Sequence, residues 1–260
     1  MEFSFLTYNI LFNTALSSLK KIIIKYQPDI LCLQEIDTSE NNLAEIENLN
    51  YKLANFSNYL MRFNKIFGMA TFYNATKFYF DDSQIIPIQH TLLELIISLP
   101  KIFSGKQIKR NFLKTIFIEK KTSKKISIYN THLTVYGSNN AKIKQIKTAL
   151  NEVKNDNKHP VIIAGDFNYF PYGRKNLEKT MEILGFKEAT ANIDYTIYYR
   201  NLKKFHYNFI PRIITKAFTQ LFTDRLKIDY IFFKNLKLKN SKRIEVDYSD
   251  HFPIFAKFKF

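Results

Sequence analysis

The stretch VIIAGDFN, Val161–Asn168, runs four apolar residues and a glycine into Asp166 and Asn168. An uninterrupted apolar run of this length reads as a strand covered on both faces, since a half-exposed strand would alternate. Its terminal carboxylate and amide then stand at the mouth of a central strand. The same grammar recurs on either side. KISIYNTHL (125–133) is an apolar strand ending in polar residues, Ile143, Ile146, Leu150 and Val153 mark one face of a helix, and Pro160 precedes the quoted run.

In the N-terminal half, FSFLTYN (3–9) reads as a strand, Leu16, Leu19, Ile23 and Tyr26 fall at helical spacing, and Pro28 stops that helix. DILCLQE (29–35) is then a strand ending on Gln34 and Glu35. Two strand, helix, strand units thus share one plan. Further strands are expected at FGMATFY (67–73), LKTIFIE (113–119), IDYIFF (228–233) and IFAKFKF (254–260). Together they predict an α/β sandwich whose polar strand ends converge on one rim, where open sheets hold their ligands.

Composition narrows the class. A chain of 260 residues with no long Gly, Ser or Pro run reads as a single domain over 1–260. The lone Cys32 excludes an intrachain disulfide framework and sits in an apolar run as a core residue. No basic leader followed by an apolar segment, and no span of membrane length, is present, so a cytoplasmic protein is expected. The net charge of +16, from 39 Lys and Arg against 23 Asp and Glu, favours polyanions such as nucleic acid or an anionic membrane surface.

Asn9, Glu35, His132, Asp166, Asn168, Asp229, Asp250 and His251 all fall at predicted strand ends. Singly, an Asp or Asn there is a turn residue. As a set, carboxylates and amides without a cysteine or multi-histidine cluster suit a hard divalent cation such as Mg²⁺ and disfavour zinc. Two histidines beside them are equipment for activating water against a phosphoryl group.

TYNI, LCLQE, NTHL, GDFN, IDYIF and SDHFP, in this order from residue 7 to residue 253, resemble the endonuclease/exonuclease/phosphatase superfamily. The resemblance implies a four-layered α/β sandwich of two packed mixed sheets flanked by helices. It implies a Mg²⁺-dependent (or Mn²⁺-dependent) phosphohydrolase, with Glu35 as the main metal ligand assisted by Asn9 and Asp250. His251 would be the general base or transition-state stabiliser, oriented by Asp229. Asp166 would align or deprotonate the attacking water. Asn168 and His132 would contact the phosphate, with His132 a candidate to protonate the leaving oxygen. Arg110, before a strand, is a candidate phosphate ligand or a plain surface charge.

Substrate choice rests with the segments between motifs. TLLELIISLPKIF (91–103) and FIPRIITKAFTQLF (209–222) are apolar or amphipathic, which usually means a core face and alternatively a lipid or partner surface. YYRNLKKFHYNF (198–209) interleaves aromatics with basic residues, a pattern suited to stacking on bases. Nucleic acid is therefore the expected substrate. The alternatives are a sphingomyelinase-like or phosphoinositide-directed lipid hydrolase and a non-catalytic module that binds polyanions.

Overall fold

A computed structural model describes residues 1–62, 64–103, 109–155, 159–198 and 225–260. The segment 209–222, and all but Tyr198 of 198–209, lie outside the described residues. The chain proceeds through β1 (Glu2–Asn9), α1 (Leu16–Tyr26), β2 (Ile30–Asp37), α2 (Glu40–Glu47), β3 (Lys52–Arg62), β4 (Lys65–Tyr73) and β5 (Phe78–Pro87). It continues through α3 (Leu92–Phe103), β6 (Asn111–Glu119), β7 (Lys125–His132), α4 (Asn139–Asn155), β8 (Val161–Asp166) and α5 (Arg174–Glu182). Then come the short β9 (Lys187–Glu188), β10 (Ile197–Tyr198) and β11 (Arg225–Leu226), followed by β12 (Asp229–Lys234), β13 (Lys237–Arg243) and β14 (Ile254–Lys259).

Two mixed sheets of six strands carry the architecture, in the orders β13-β14-β1-β2-β4-β3 and β5-β6-β7-β8-β12-β9. Their facing sides make one core: Phe3, Phe5, Ile30 and Cys32 of the first sheet pack with Phe78, Phe117, Ile128, Ile162, Ala164 and Ile231 of the second. The outer faces take the helices. Leu19, Ile22 and Ile23 of α1 and Leu43 and Ile46 of α2 cover Leu6, Tyr8, Leu31 and Leu33. Ile146, Leu150 and Val153 of α4 and Leu177 and Met181 of α5 cover Tyr129, Val161, Ile163 and Phe232. The result is the expected helix, sheet, sheet, helix sandwich. β2 and β8 open as continuous apolar runs because each is buried on both faces, and β1 and β7, equally buried, mix Ser4, Thr7, Ser127 and Asn130 among their apolar residues.

The register sets the site. β7 and β8 run parallel with His132 opposite Asp166, and β12 runs antiparallel to β8 with Asp229 opposite Asp166. One row of one sheet thus holds three candidate residues. β1 and β2 run parallel with Asn9 opposite Gln34. Glu35 is the extra residue of a bulge on β2, where the register against β4 shifts between Gln34 and Ile36. Its φ of 56° turns the side chain out of the strand's alternation.

Of the two readings of 91–103, the described apolar residues of α3 depart from the core face and fit the outward-facing surface. Leu92 is 75% exposed, and Leu93, Leu95, Ile96, Ile97 and Leu99 are also exposed. Its inner side carries Thr91 and Glu94, both buried. Thr91 Oγ1 caps the helix by accepting the Glu94 N–H at 3.1 Å. Among the described residues, no helix is long and apolar enough to cross a membrane.

Candidate active site

Asn9, Glu35, His132, Asp166, Asn168, Asp229, Asp250 and His251 come together where β1, β2, β7 and β8 end, β12 begins and the chain enters β14. All but Glu35 count as buried, and the Glu35 side chain is only 12% exposed. Asp166 is the hub. Its Oδ2 accepts from Asn9 Nδ2 at 3.2 Å and lies 3.4 Å from His132 Nε2 and 3.7 Å from His251 Nε2. Its Oδ1 accepts the Asn168 N–H at 2.9 Å. Asp229 grips His251 from the other side, with Nδ1 at 2.9 and 3.1 Å from its two oxygens. Glu35 Oε1 lies 3.9 Å from His132 Nε2.

Gly165 makes this arrangement possible. Its φ is +136°, and a Cβ there would sit 2.0 Å from the Thr131 carbonyl oxygen. Only glycine lets β8 close on β7 while delivering Asp166 opposite His132. The loop after β8 is fixed by α4: Lys142, fully buried, donates through Nζ to the Asn168 carbonyl, and Asn139 both donates to the Phe170 carbonyl and accepts the Phe170 N–H. Asn168 Nδ2 donates to the Leu133 carbonyl at 3.0 Å. On the opposite wall Ser249 Oγ lies 2.9 Å from the Asn9 carbonyl oxygen, 3.1 Å from Asp250 Oδ1, and accepts the His251 N–H.

Burial and like charges push the carboxylates up. Glu35 rises to about 8, through burial first and then the neighbouring Asp250. Asp166 rises through burial, opposed by His251 and reinforced by Asp229, and Asp250 rises for the same leading reason. The two histidines separate. Burial lowers both, but Asp229, Asp250 and Asp166 outweigh it at His251 and hold that ring well above its ordinary range. At His132 burial is reinforced by Arg110 and His251, and that ring lies well below its ordinary range. Two imidazoles forced in opposite directions within one site is the pattern of divided acid and base labour.

The donors fit a hard cation. Glu35 Oε2 is buried with no hydrogen-bond partner among the described residues, and Asp250 lies close enough to raise it. Such an unpaired carboxylate oxygen in an oxygen-rich wall suits Mg²⁺ or Mn²⁺. Asp166, Asp229 and His251 also offer ligand atoms within 4.8 Å of one another. His251 Nδ1 is already engaged by Asp229, whose charge helps hold that ring well above its ordinary range, so the trio is a charge-paired dyad beside a third carboxylate, and Glu35 with Asp250 is the better fit for a cation. Asn9 turns its amide nitrogen to Asp166 and its Oδ1 to the Leu11 N–H at 3.1 Å, leaving one lone pair on that oxygen.

A sequence model of the Endonuclease/Exonuclease/phosphatase family matches residues 6–251. The chain belongs to this family. Among curated proteins it is similar to 2′,5′-phosphodiesterase 12 of Homo sapiens, 25% identical over 174 residues that are 59% of this chain and 27% of that protein. The chain thus spans about a quarter of that relative's length. Its fold is that of the human Nocturnin catalytic domain solved with a bound sulfate anion, with TM-score 0.73, 18% identity, and coverage of 100% of this chain and 94% of the other. It is also that of D. rerio TDP2 complexed with a single-strand DNA product, with TM-score 0.68, 17% identity, and coverage of 100% and 99%.

Arg110 is not a plain surface charge: its Nε donates to Glu94 Oε1 at 2.6 Å and its guanidinium lies 5.7 Å from the Tyr59 ring centroid. Sequence reading missed Tyr59, Lys142 and Ser249. Ser249 sits inside the quoted SDHFP and was within reach. Tyr59 and Lys142 carry no local signal, since each meets the site only through residues distant in sequence.

Proposed function

We propose that the chain is a metal-dependent phosphohydrolase acting on a nucleic-acid phosphodiester. The observation that carries this reading is the placement of Asp166 between two histidines of opposite charge tendency, with Glu35 presenting an unpaired oxygen beside them. Mg²⁺ held by Glu35 and Asp250, with Asn9 contributing its remaining lone pair, would neutralise phosphoryl charge as a Lewis acid. Asp166, its proton affinity raised by burial, takes a proton from the attacking water. His251, kept as imidazolium by Asp229, donates to a phosphoryl oxygen and stabilises charge as it builds, a role its electrostatics favour over that of general base. His132, held neutral, serves as hydrogen-bond donor to the phosphate more readily than as an acid for the leaving oxygen. Asn168 has a second amide hydrogen to add.

Nucleic acid is favoured by the net charge of +16 and by likeness to a protein named a 2′,5′-phosphodiesterase. A second reading, a phospholipid head group, is favoured by the exposed apolar face of α3. The test is hydrolysis of single-stranded RNA, a 2′,5′-linked oligonucleotide, abasic duplex DNA and sphingomyelin or phosphoinositide vesicles, with Mg²⁺ and with chelator. Chelator-sensitive cleavage of a nucleic acid that falls by about 10²–10⁴-fold in His251→Ala supports the reading. Tight binding of these polymers without turnover overturns it in favour of a binding module.

A further inference from the structure

Outside the predicted set, one buried side chain touches both catalytic walls. Tyr59 lies on β3, where the pairing with β4 shifts register between Asn58 and Leu60. It is thus the extra residue of a second bulge. Both bulges flank the same point of β4: Gly68 pairs with Ile36 just past Glu35 and with Asn58 just before Tyr59. A Cβ on Gly68 would sit 2.1 Å from the Ser57 carbonyl oxygen, so the close approach of β3 depends on that glycine. Bulges re-aim side chains, and here two of them turn Glu35 and Tyr59 toward one another.

The phenol oxygen makes two hydrogen bonds among the described residues. It accepts the Glu35 main-chain N–H at 3.0 Å, and it lies 2.8 Å from His132 Nδ1. A phenol has one hydrogen, and the first bond does not use it. A buried hydroxyl hydrogen left without an acceptor is costly, and Nδ1 is the acceptor within reach. The hydroxyl therefore donates to Nδ1, which places the ring proton of His132 on Nε2. Nε2 is the nitrogen 3.4 Å from Asp166 Oδ2 and 3.9 Å from Glu35 Oε1, facing the reaction centre.

The ring itself is locked. His132 meets it edge to face with centroids 5.1 Å apart, Met69 and Leu113 pack with it, and Arg110, held by Glu94 of α3, lies over it. We infer that Tyr59 is a positioning residue that fixes His132 in the Nε2–H tautomer and ties the Glu35 bulge to that ring, so that His132 always presents a donor to the substrate phosphate. Its catalytic meaning rests on the phosphohydrolase reading, whereas its structural content does not. The carboxylate partner that usually orients a catalytic imidazole is supplied to His251 by Asp229; for His132 a phenol does the work.

The test is Tyr59→Phe, which keeps the ring and its packing and removes only the oxygen. Long-range ¹H–¹⁵N spectra of histidine-labelled protein read the tautomer of His132, assigned by its loss in His132→Gln. The wild-type protein is expected to show Nε2–H, and Tyr59→Phe a mixture of tautomers with unchanged spectra for His251. On the best nucleic-acid substrate kcat should fall by about 10- to 100-fold, the range seen when an orienting partner of a functional histidine is removed, with KM little changed. A wild-type Nδ1–H tautomer, a tautomer unmoved by Tyr59→Phe, or wild-type turnover in that variant would each overturn the assignment. If no substrate is turned over by the wild-type protein, the phosphohydrolase reading fails while the spectra still decide the role of Tyr59.

Discussion

At the scale of single residues, Glu35 and its neighbours make a testable link between protons and metal. Glu35 has a folded-state value of about 8 against an ordinary 4.5. A carboxyl raised on folding stabilises the protein below its unfolded value, and that stability is lost as pH rises through the folded value. The metal-free protein should therefore lose thermal stability between about pH 4.5 and about pH 8 as Glu35 ionises in its buried site beside Asp250. Mg²⁺ held there as proposed would compete with that proton, so its affinity should climb by up to about tenfold per pH unit across the same window. Thermal melts with and without Mg²⁺ at pH 5, 6.5 and 8 check this, each pH value being about the middle or edge of that window. Glu35→Gln should reduce the slope of both curves, Asp166 and Asp250 supplying what remains, and a Mg²⁺ shift independent of pH in the wild-type protein would contradict the assignment. Glu35 was legible in the sequence because an apolar strand ends on it. Its partner Tyr59 was not, because NYLMR carries no signal that a bulge will aim one aromatic ring across 24 residues of chain at Glu35 and across 73 at His132.

Among the elements, legibility followed burial. β2, β8 and β12 carry near-continuous apolar runs because both faces are covered, and their polar ends stand out by contrast, whereas β1 and β7 are as buried but mix in Ser4, Thr7, Ser127 and Asn130. β3, β5 and β13 were invisible because they are half-exposed and polar, all three at sheet edges; β13, KLKNSKR, has neither alternation nor an apolar run. Pairing made these strands where propensity did not. The junction of β7 and β8 gives the sharpest prediction at this scale. Gly165→Ala places a methyl group 2.0 Å from the Thr131 carbonyl at a φ that side chains avoid. β8 must then move away from β7, breaking the row of His132, Asp166 and Asp229. The cost should exceed about 3 kcal/mol in urea unfolding, with turnover lost even where protein is recovered folded. Unfolding within about 0.5 kcal/mol of the wild-type value would show that the strands can part without penalty.

For the whole molecule, the question is what α3 contributes to substrate choice. Its inner face is joined to the site through Glu94, Arg110 and Tyr59, so the helix cannot be a loose appendage. Its outer face exposes Leu92 at 75% and Ile96 at 54% beside four further large apolar side chains, a surface that soluble monomers seldom leave contiguous. The sequence left 91–103 open between a core face, where apolar residues at helical spacing usually lie, and a lipid or partner surface; it did not show that the sandwich was already covered by α1, α2, α4 and α5. Leu92→Ser combined with Ile96→Ser separates the two substrate readings. Both side chains are exposed, so each change should alter stability by no more than about 0.5 kcal/mol. A nucleic acid held by basic groups and by the site residues does not use this face, and its hydrolysis should stay within about twofold of wild type, since a twofold change is only about 0.4 kcal/mol. A lipid head group presented from a bilayer needs the protein at the interface, and loss of two buried aliphatic side chains from that contact, at roughly 1.5–3 kcal/mol each, should cut turnover of vesicles by at least about tenfold. The expected outcome is retained cleavage of RNA by the double variant, measured at matched ionic strength because phosphate contacts weaken steeply with salt. A collapse of RNA cleavage in a folded double variant would mean that α3 touches the polymer, and the outer face would then belong to the nucleic-acid site.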